Sequence, residues 1–181
     1  MSALLEIDAL ACEVADLQRR LFALRRQLRS EQPPLADDGM LELLVCTLGE
    51  HRVAVPVESI DEVVLLCRLE PVPGAPAGVA GLLNVRGTSV PVVDARQRMF
   101  QAAVRPQLSD LILVCRVEGR RAGVLVDGVL ELVRVESGQV QPVDADTPHA
   151  PFVLGSLVLA DHPVWLLSAG RLLAVGEGSA A

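Results

Sequence analysis

A chain of 181 residues, 51% hydrophobic and 22% charged, is globular and long enough for one sizeable core or two small, joined ones. Its formal charge of −7 excludes a surface built to neutralise phosphates, so nucleic acid is not expected as a partner. Aromatic residues make up only 2% and tyrosine is absent, so Val, Leu, Ala and Ile must fill the core, and the many valines point to β-structure.

Residues 1–30 are predicted to form an amphipathic helix with a heptad seam. Ala3, Ile7, Leu10, Val14, Leu17, Leu21, Leu24 and Leu28 alternate three and four apart, the period that keeps one stripe against a partner helix. Acidic Glu6, Asp8, Glu13 and Asp16 come early and basic Arg19, Arg20, Arg25, Arg26 and Arg29 late, which suits the helix dipole. In a parallel dimer Arg20 would oppose Arg25, whereas antiparallel pairing brings Glu13 near Arg20. The flanks therefore favour an antiparallel homodimer or a different partner helix, and packing of the stripe on the chain's own β-domain is the alternative. Residues 31–39, with Pro33, Pro34 and a polar run, read as a linker.

From Met40 onward the pattern is that of short strands. Leu41–Leu48 and His51–Val55 flank a Gly49-Glu50 turn, and Ser109–Val117 and Arg120–Val126 flank Glu118-Gly119 in the same way. The two stretches match, with Leu44-Val45-Cys46 over Leu113-Val114-Cys115, Ile60 over Val129 and Glu62 over Glu131. A second pair matches without gaps: Val79-Ala80-Gly81 over Val153-Leu154-Gly155, Val92-Val93 over Leu166-Leu167, and Ala95 over Ala169. Each copy ends in a short helix, opened by Asp94 or Ser168 as N-cap. The expected fold is mainly β, two pseudo-symmetric five-stranded barrels over residues 40–175. They divide at about 40–108 and 109–175, with exchange of a strand between them left open, and 176–181 form a disordered tail. Closure into barrels removes exposed strand edges.

Little here points to catalysis. Cys12, Cys46, Cys67 and Cys115 are far apart, with no CxxC and no nearby His, so no metal and no cofactor are expected. Cys46 and Cys115, inside apolar runs, read as small hydrophobes. His51, His149 and His162 lie in unlike contexts, and no phosphate loop or nucleophile motif accompanies them. No secretory pattern opens the chain and no apolar run reaches transmembrane length, so a cytoplasmic location without membrane insertion is the default.

The stretch Gly81-Leu-Leu-Asn-Val-Arg-Gly-Thr-Ser-Val-Pro-Val-Val-Asp-Ala-Arg96 resembles the central signature of the CheW family. Leu43-Leu-Val-Cys-Thr-Leu-Gly-Glu50 is similar to that family's opening hairpin, and Gly123-Val-Leu-Val-Asp-Gly-Val129 to a strand of its second half. The resemblance spans about residues 41–175. It implies two SH3-like barrels about a pseudo-twofold, and a non-catalytic adaptor between chemoreceptor tips and the regulatory domain of a CheA-type histidine kinase. The family's receptor-binding positions transfer to Ile60, Glu62, Gly81 and Arg86; no kinase-contacting residue transfers.

The residue types suit that reading. Gly81 permits close backbone approach and Gly87 a turn with positive φ. Pro91 lacks a ladder donor, which places its strand at an edge or its nitrogen toward a bend. Asn84 and Asp94 read as a turn bond and a helix cap. Arg86, set among apolar residues, needs an acidic partner, with Glu62 and Asp94 the candidates. An ion pair that joins the two barrels is the structural alternative to partner contact. The added helix and the turn Asp161-His162-Pro163 depart from the family's pattern. They leave open an adaptor for localisation or assembly of a signalling array, tethered through the helix.

Overall fold

The computed structural model describes residues 39–101 and 104–174, together with Glu13, Val14, Asp16, Leu17, Arg19, Arg20, Ala23 and Leu24. Among the described residues from Gly39 on, ten strands and two short α-helices follow in chain order. The strands are β1 (Met40–Leu48), β2 (His51–Pro56), β3 (Ile60–Leu65), β4 (Val79–Val85), β5 (Thr88–Asp94), β6 (Leu111–Val117), β7 (Arg120–Val126), β8 (Gly128–Glu136), β9 (Val153–Leu159) and β10 (His162–Leu167). Helices α1 (Ala95–Phe100) and α2 (Ala169–Leu173) end the two repeats. Asp94 and Ser168 cap them, the Asp94 carboxylate accepting from the N–H groups of Arg96 and Gln97 and the Ser168 hydroxyl from that of Arg171.

Two five-stranded sheets result, in the orders β8-β1-β2-β10-β9 and β3-β6-β7-β5-β4. They do not follow the two sequence copies. The hairpin β1–β2 of the first copy joins β8, β9 and β10 of the second, and β6–β7 of the second joins β3, β4 and β5 of the first. The exchange is therefore a hairpin wide and reciprocal.

Tight turns set the hairpin registers. Arg86-Gly87 and Glu118-Gly119 have positive φ at both residues, as two-residue hairpin turns with the strands' twist require. So do Ala160 and Asp161, which make the β9–β10 turn, while His162 and Pro163 open β10.

The expected closed barrels are corrected by the pairing, for neither sheet closes by a continuous ladder. In the second sheet the edges meet at one bridge, where Glu70, beyond β3, exchanges two 2.8 Å backbone hydrogen bonds with Leu82 of β4. Gln141, beyond β8, does the same with Ser156 of β9 in the first sheet. The edges come together over too short a length for a ladder, so the sheets curl without closing.

Alternation along β1 and β6 builds three cores at once. Leu43 and Val45 face the interior of the first sheet, and Ile112 and Val114 that of the second. Leu44, Cys46, Leu111, Leu113 and Cys115 turn the other way, into a shared core that also holds Val53, Val124, Met99 and Leu172. A strand buried on both faces reads as an unbroken apolar run, which is why Leu43–Cys46 and Leu111–Cys115 show no polar alternation.

Candidate docking site

β3 carries a bulge between Ile60 and Glu62. Such an extra residue re-aims its neighbours: Ile60 and Val63 point into the shared core, while Asp61 and Glu62 both reach the outer face. Behind Asp61 lies β6 and then β7, where Arg116 and Arg121 stand directly opposite each other across the ladder. Like charges in that register repel, and Asp61 offsets the repulsion by accepting from both, at 3.1 Å from Arg116 Nη2 and 3.1 Å from Arg121 Nε. Burial alone would raise the Asp61 pKa, but these two hydrogen-bonded guanidiniums outweigh it and hold the carboxyl below its usual range.

Glu62 joins the same network. Its carboxylate lies 3.7 Å from Arg121 and 3.5 Å from Arg86, which arrives from the β4–β5 turn. Arg86 adopts the left-handed region at φ 50°, and Asn84 Oδ1 accepts from Gly87 N at 2.8 Å, fixing the turn that presents it. The Arg86 side chain is 81% exposed. Of the two candidate partners, Arg86 pairs with Glu62 and not with Asp94; it stands in solvent and joins two edges of one sheet, not the two sheets. A groove of about 730 Å³ adjoins the network, with Thr88, Ser89, Pro91, Arg120, Arg121 and Ala174 in its walls.

Ile60 and Gly81 lie apart from this surface. Ile60 is 1% exposed in the shared core. Gly81, at φ +144°, lies against the closing bridge, where a Cβ would come 2.7 Å from Glu70 O. Pro91 is not on an edge strand, since β5 lies between β7 and β4. It directly precedes Val92, the first residue of the parallel ladder to β7, so no donor is wanted at its nitrogen on that side.

Asp94 belongs to a second, buried cluster around Arg96. The guanidinium of Arg96 forks onto Asp94 at 3.0 and 2.9 Å and reaches Asp110 at 3.0 Å and Asp127 at 2.5 Å. Burial raises the Asp110 pKa despite the N–H of Gln107 and the guanidinium beside it. Asp127 also accepts from Gly49 N in the β1–β2 turn. Arg96–Asp127–Gly49 is therefore a charged tie between the two sheets, the alternative role that the sequence leaves open for Arg86.

Of the heptad seam, Val14, Leu17 and Leu24 lie on helical backbone and are 53%, 58% and 59% exposed. At those three positions the stripe is not packed on the β-domain. Ile7, Leu10, Leu21 and Leu28 are outside the described residues.

His51 stacks on Phe100, and His149 meets Phe100 and Trp165 edge-on. Neither histidine has a nucleophile or carboxylate partner among the hydrogen bonds of the described residues. No group of three or more His, Cys, Asp or Glu side chains among the described residues is placed to hold a metal ion. No helix among them is long and apolar enough to cross a membrane.

A family model described as a CheW-like domain matches residues 42–177. The chain is similar to the Chemotaxis protein CheW of Rhizobium meliloti (strain 1021), at 29% identity over 146 residues that cover 80% of this chain and 94% of the relative. It is also similar to Protein FrzA of Myxococcus xanthus, at 29% identity over 120 residues that cover 66% and 69%. The crystal structure of scaffolding protein TtCheW from Thermoanaerobacter tengcongensis shares the fold, with a TM-score of 0.72 at 22% identity over 81% of this chain and 96% of that one.

Proposed function

The chain belongs to the CheW family, and from that membership we propose that it is a non-catalytic, cytoplasmic adaptor coupling chemoreceptors to a CheA-type histidine kinase. Its receptor-docking surface is the outer face of the second sheet, centred on Glu62 and Arg86. The observation that carries this reading is their meeting at 3.5 Å from separate edges of one curled sheet, with Arg86 left in solvent. A surface arginine so presented keeps most of its five donors available for a partner. Gly81 and Ile60 act from behind, one allowing the sheet edges to meet and the other seating β3 in the core. An adaptor of this kind holds receptor and kinase regulatory domain at once, in complexes gathered at receptor arrays.

A second reading rests on the exposure of Val14, Leu17 and Leu24. Through that stripe the chain would pair with a second copy or another helix and act in localisation or assembly of a signalling array. Mixing the full chain with a receptor cytoplasmic tip and a kinase regulatory domain separates the readings. An adaptor co-migrates with both partners in one complex on size-exclusion chromatography; a tethered localisation protein retains only one.

A further inference from the structure

From the charge network we infer that Arg116 and Arg121, held on Asp61 beside the Glu62–Arg86 pair, make this face selective for a partner segment that presents carboxylates. The inference rests on the docking reading above and adds the partner's chemistry to it.

Three guanidiniums, those of Arg86, Arg116 and Arg121, share two carboxylates, Asp61 and Glu62. These five side chains sum to one positive charge, within a chain whose formal charge is −7. Depth sorts the signs further. The Asp61 and Glu62 side chains are 10% and 22% exposed, whereas Arg116 and Arg86 are 62% and 81% exposed. What a partner meets is guanidinium, with the carboxylates underneath as fixed supports. Planar guanidinium forks bind carboxylates in two-point fashion, and anchoring them removes part of the ordering that binding would otherwise require. Arg121 also walls the neighbouring groove, where exposed Arg120 and Glu118 lie side by side, so the excess positive charge is confined to the network itself. A basic partner surface would meet only like charge at the top of this network and would be rejected.

The test is a double-mutant cycle by isothermal titration. The full chain and its Arg116→Gln/Arg121→Gln variant are each titrated with a receptor cytoplasmic tip fragment, then with the same fragment after its exposed Asp and Glu are changed to Asn and Gln. Neutralising the fragment is expected to weaken binding to the unaltered chain about tenfold, and to the variant less than about twofold. Equal loss in both would overturn the inference and leave the docking reading standing. Failure of the unaltered chain to bind the fragment at all would overturn the docking reading and this inference with it. If loss of the two arginines unfolds the protein by stranding Asp61, the Asp61→Asn/Arg116→Gln/Arg121→Gln variant removes the stranded charge and is read against the same two outcomes.

Discussion

Glu62 and Arg86 belong to opposite edges of a five-stranded sheet, β3 and the β4–β5 turn, yet their side chains lie 3.5 Å apart. Sequence order does not place them together. Curling does, and the curl is pinned by a single pair of backbone bonds between Glu70 and Leu82. The exposed ion pair and the bridge that brings its partners together thus use different residues of one curled sheet.

The bridge depends on Gly81. An added Cβ would lie 2.7 Å from Glu70 O and 3.0 Å from Leu69 Cβ, at a φ that side chains rarely adopt. Gly81→Ala should cost about 1–3 kcal/mol, and should also weaken receptor binding by displacing the edge that carries Arg86. Gly87→Ala meets no atom within 4 Å and bears only the left-handed strain, about 1–2 kcal/mol. Urea denaturation of the two variants should rank them in that order.

Arg96 is the buried hub. Arg96→Ala would strand Asp94 and Asp110, both almost fully buried, and should destabilise by about 3–5 kcal/mol. Asp127→Asn should cost less, because the Asp127 side chain is 28% exposed and water can reach it. Thermal melts of the full chain check both; a silent Arg96→Ala would contradict the assignment of the inter-sheet tie.

Asp61 gives the outer network a defined acid response. Its pKa is lowered on folding by Arg116 and Arg121, so its stabilisation is present above the unfolded value of about 3.9 and is lost as pH falls through the lower folded value. Asp61→Asn should therefore be less stable than the unaltered protein at pH 7. The gap should narrow as pH drops below about 3.9 in equilibrium unfolding. A gap that widens there would show that burial, not the arginines, controls the group.

The cysteines differ in reactivity. Burial pushes the Cys115 thiol up to about 12 and the Cys46 thiol higher still, with each near another group that disfavours its thiolate. Cys67 is exposed. Of these three, only Cys67 should react with a thiol reagent in the native protein at pH 8, as peptide mapping would show.

Much of this was legible in the residues, and the misses have physical causes. Hairpins, caps and the Asn84–Gly87 turn follow from local chemistry, which sequence carries directly. The duplicated pattern revealed two units of five strands, but which hairpin pairs with which sheet is decided by long-range burial. Both copies bury β1 and β6 on two faces, and neither face names its neighbour. Asp61 carries no sequence signal, because a bulge alone brings it to the face of Glu62 and a one-residue offset leaves no periodic trace. Asp94, Arg96 and Asp127 stood within recognisable stretches, whereas Asp110 has no sequence signal at all. It acts only because the β6 entry passes Arg96. The apolar sequence neighbours of Arg86 do not show its exposure, because a turn with two positive φ values lifts it off the strand.

The most direct test of the docking site is binding of a fluorescently labelled receptor cytoplasmic tip to the full chain and to Arg86→Asp, with melts of both. Arg86 is exposed and its one described ion pair is long, so the melting temperature should be nearly unchanged. The dissociation constant should rise at least about tenfold, since a carboxylate would then face the partner beside Glu62. Undiminished binding by a well-folded Arg86→Asp protein would contradict the assignment of this face as the receptor-docking surface.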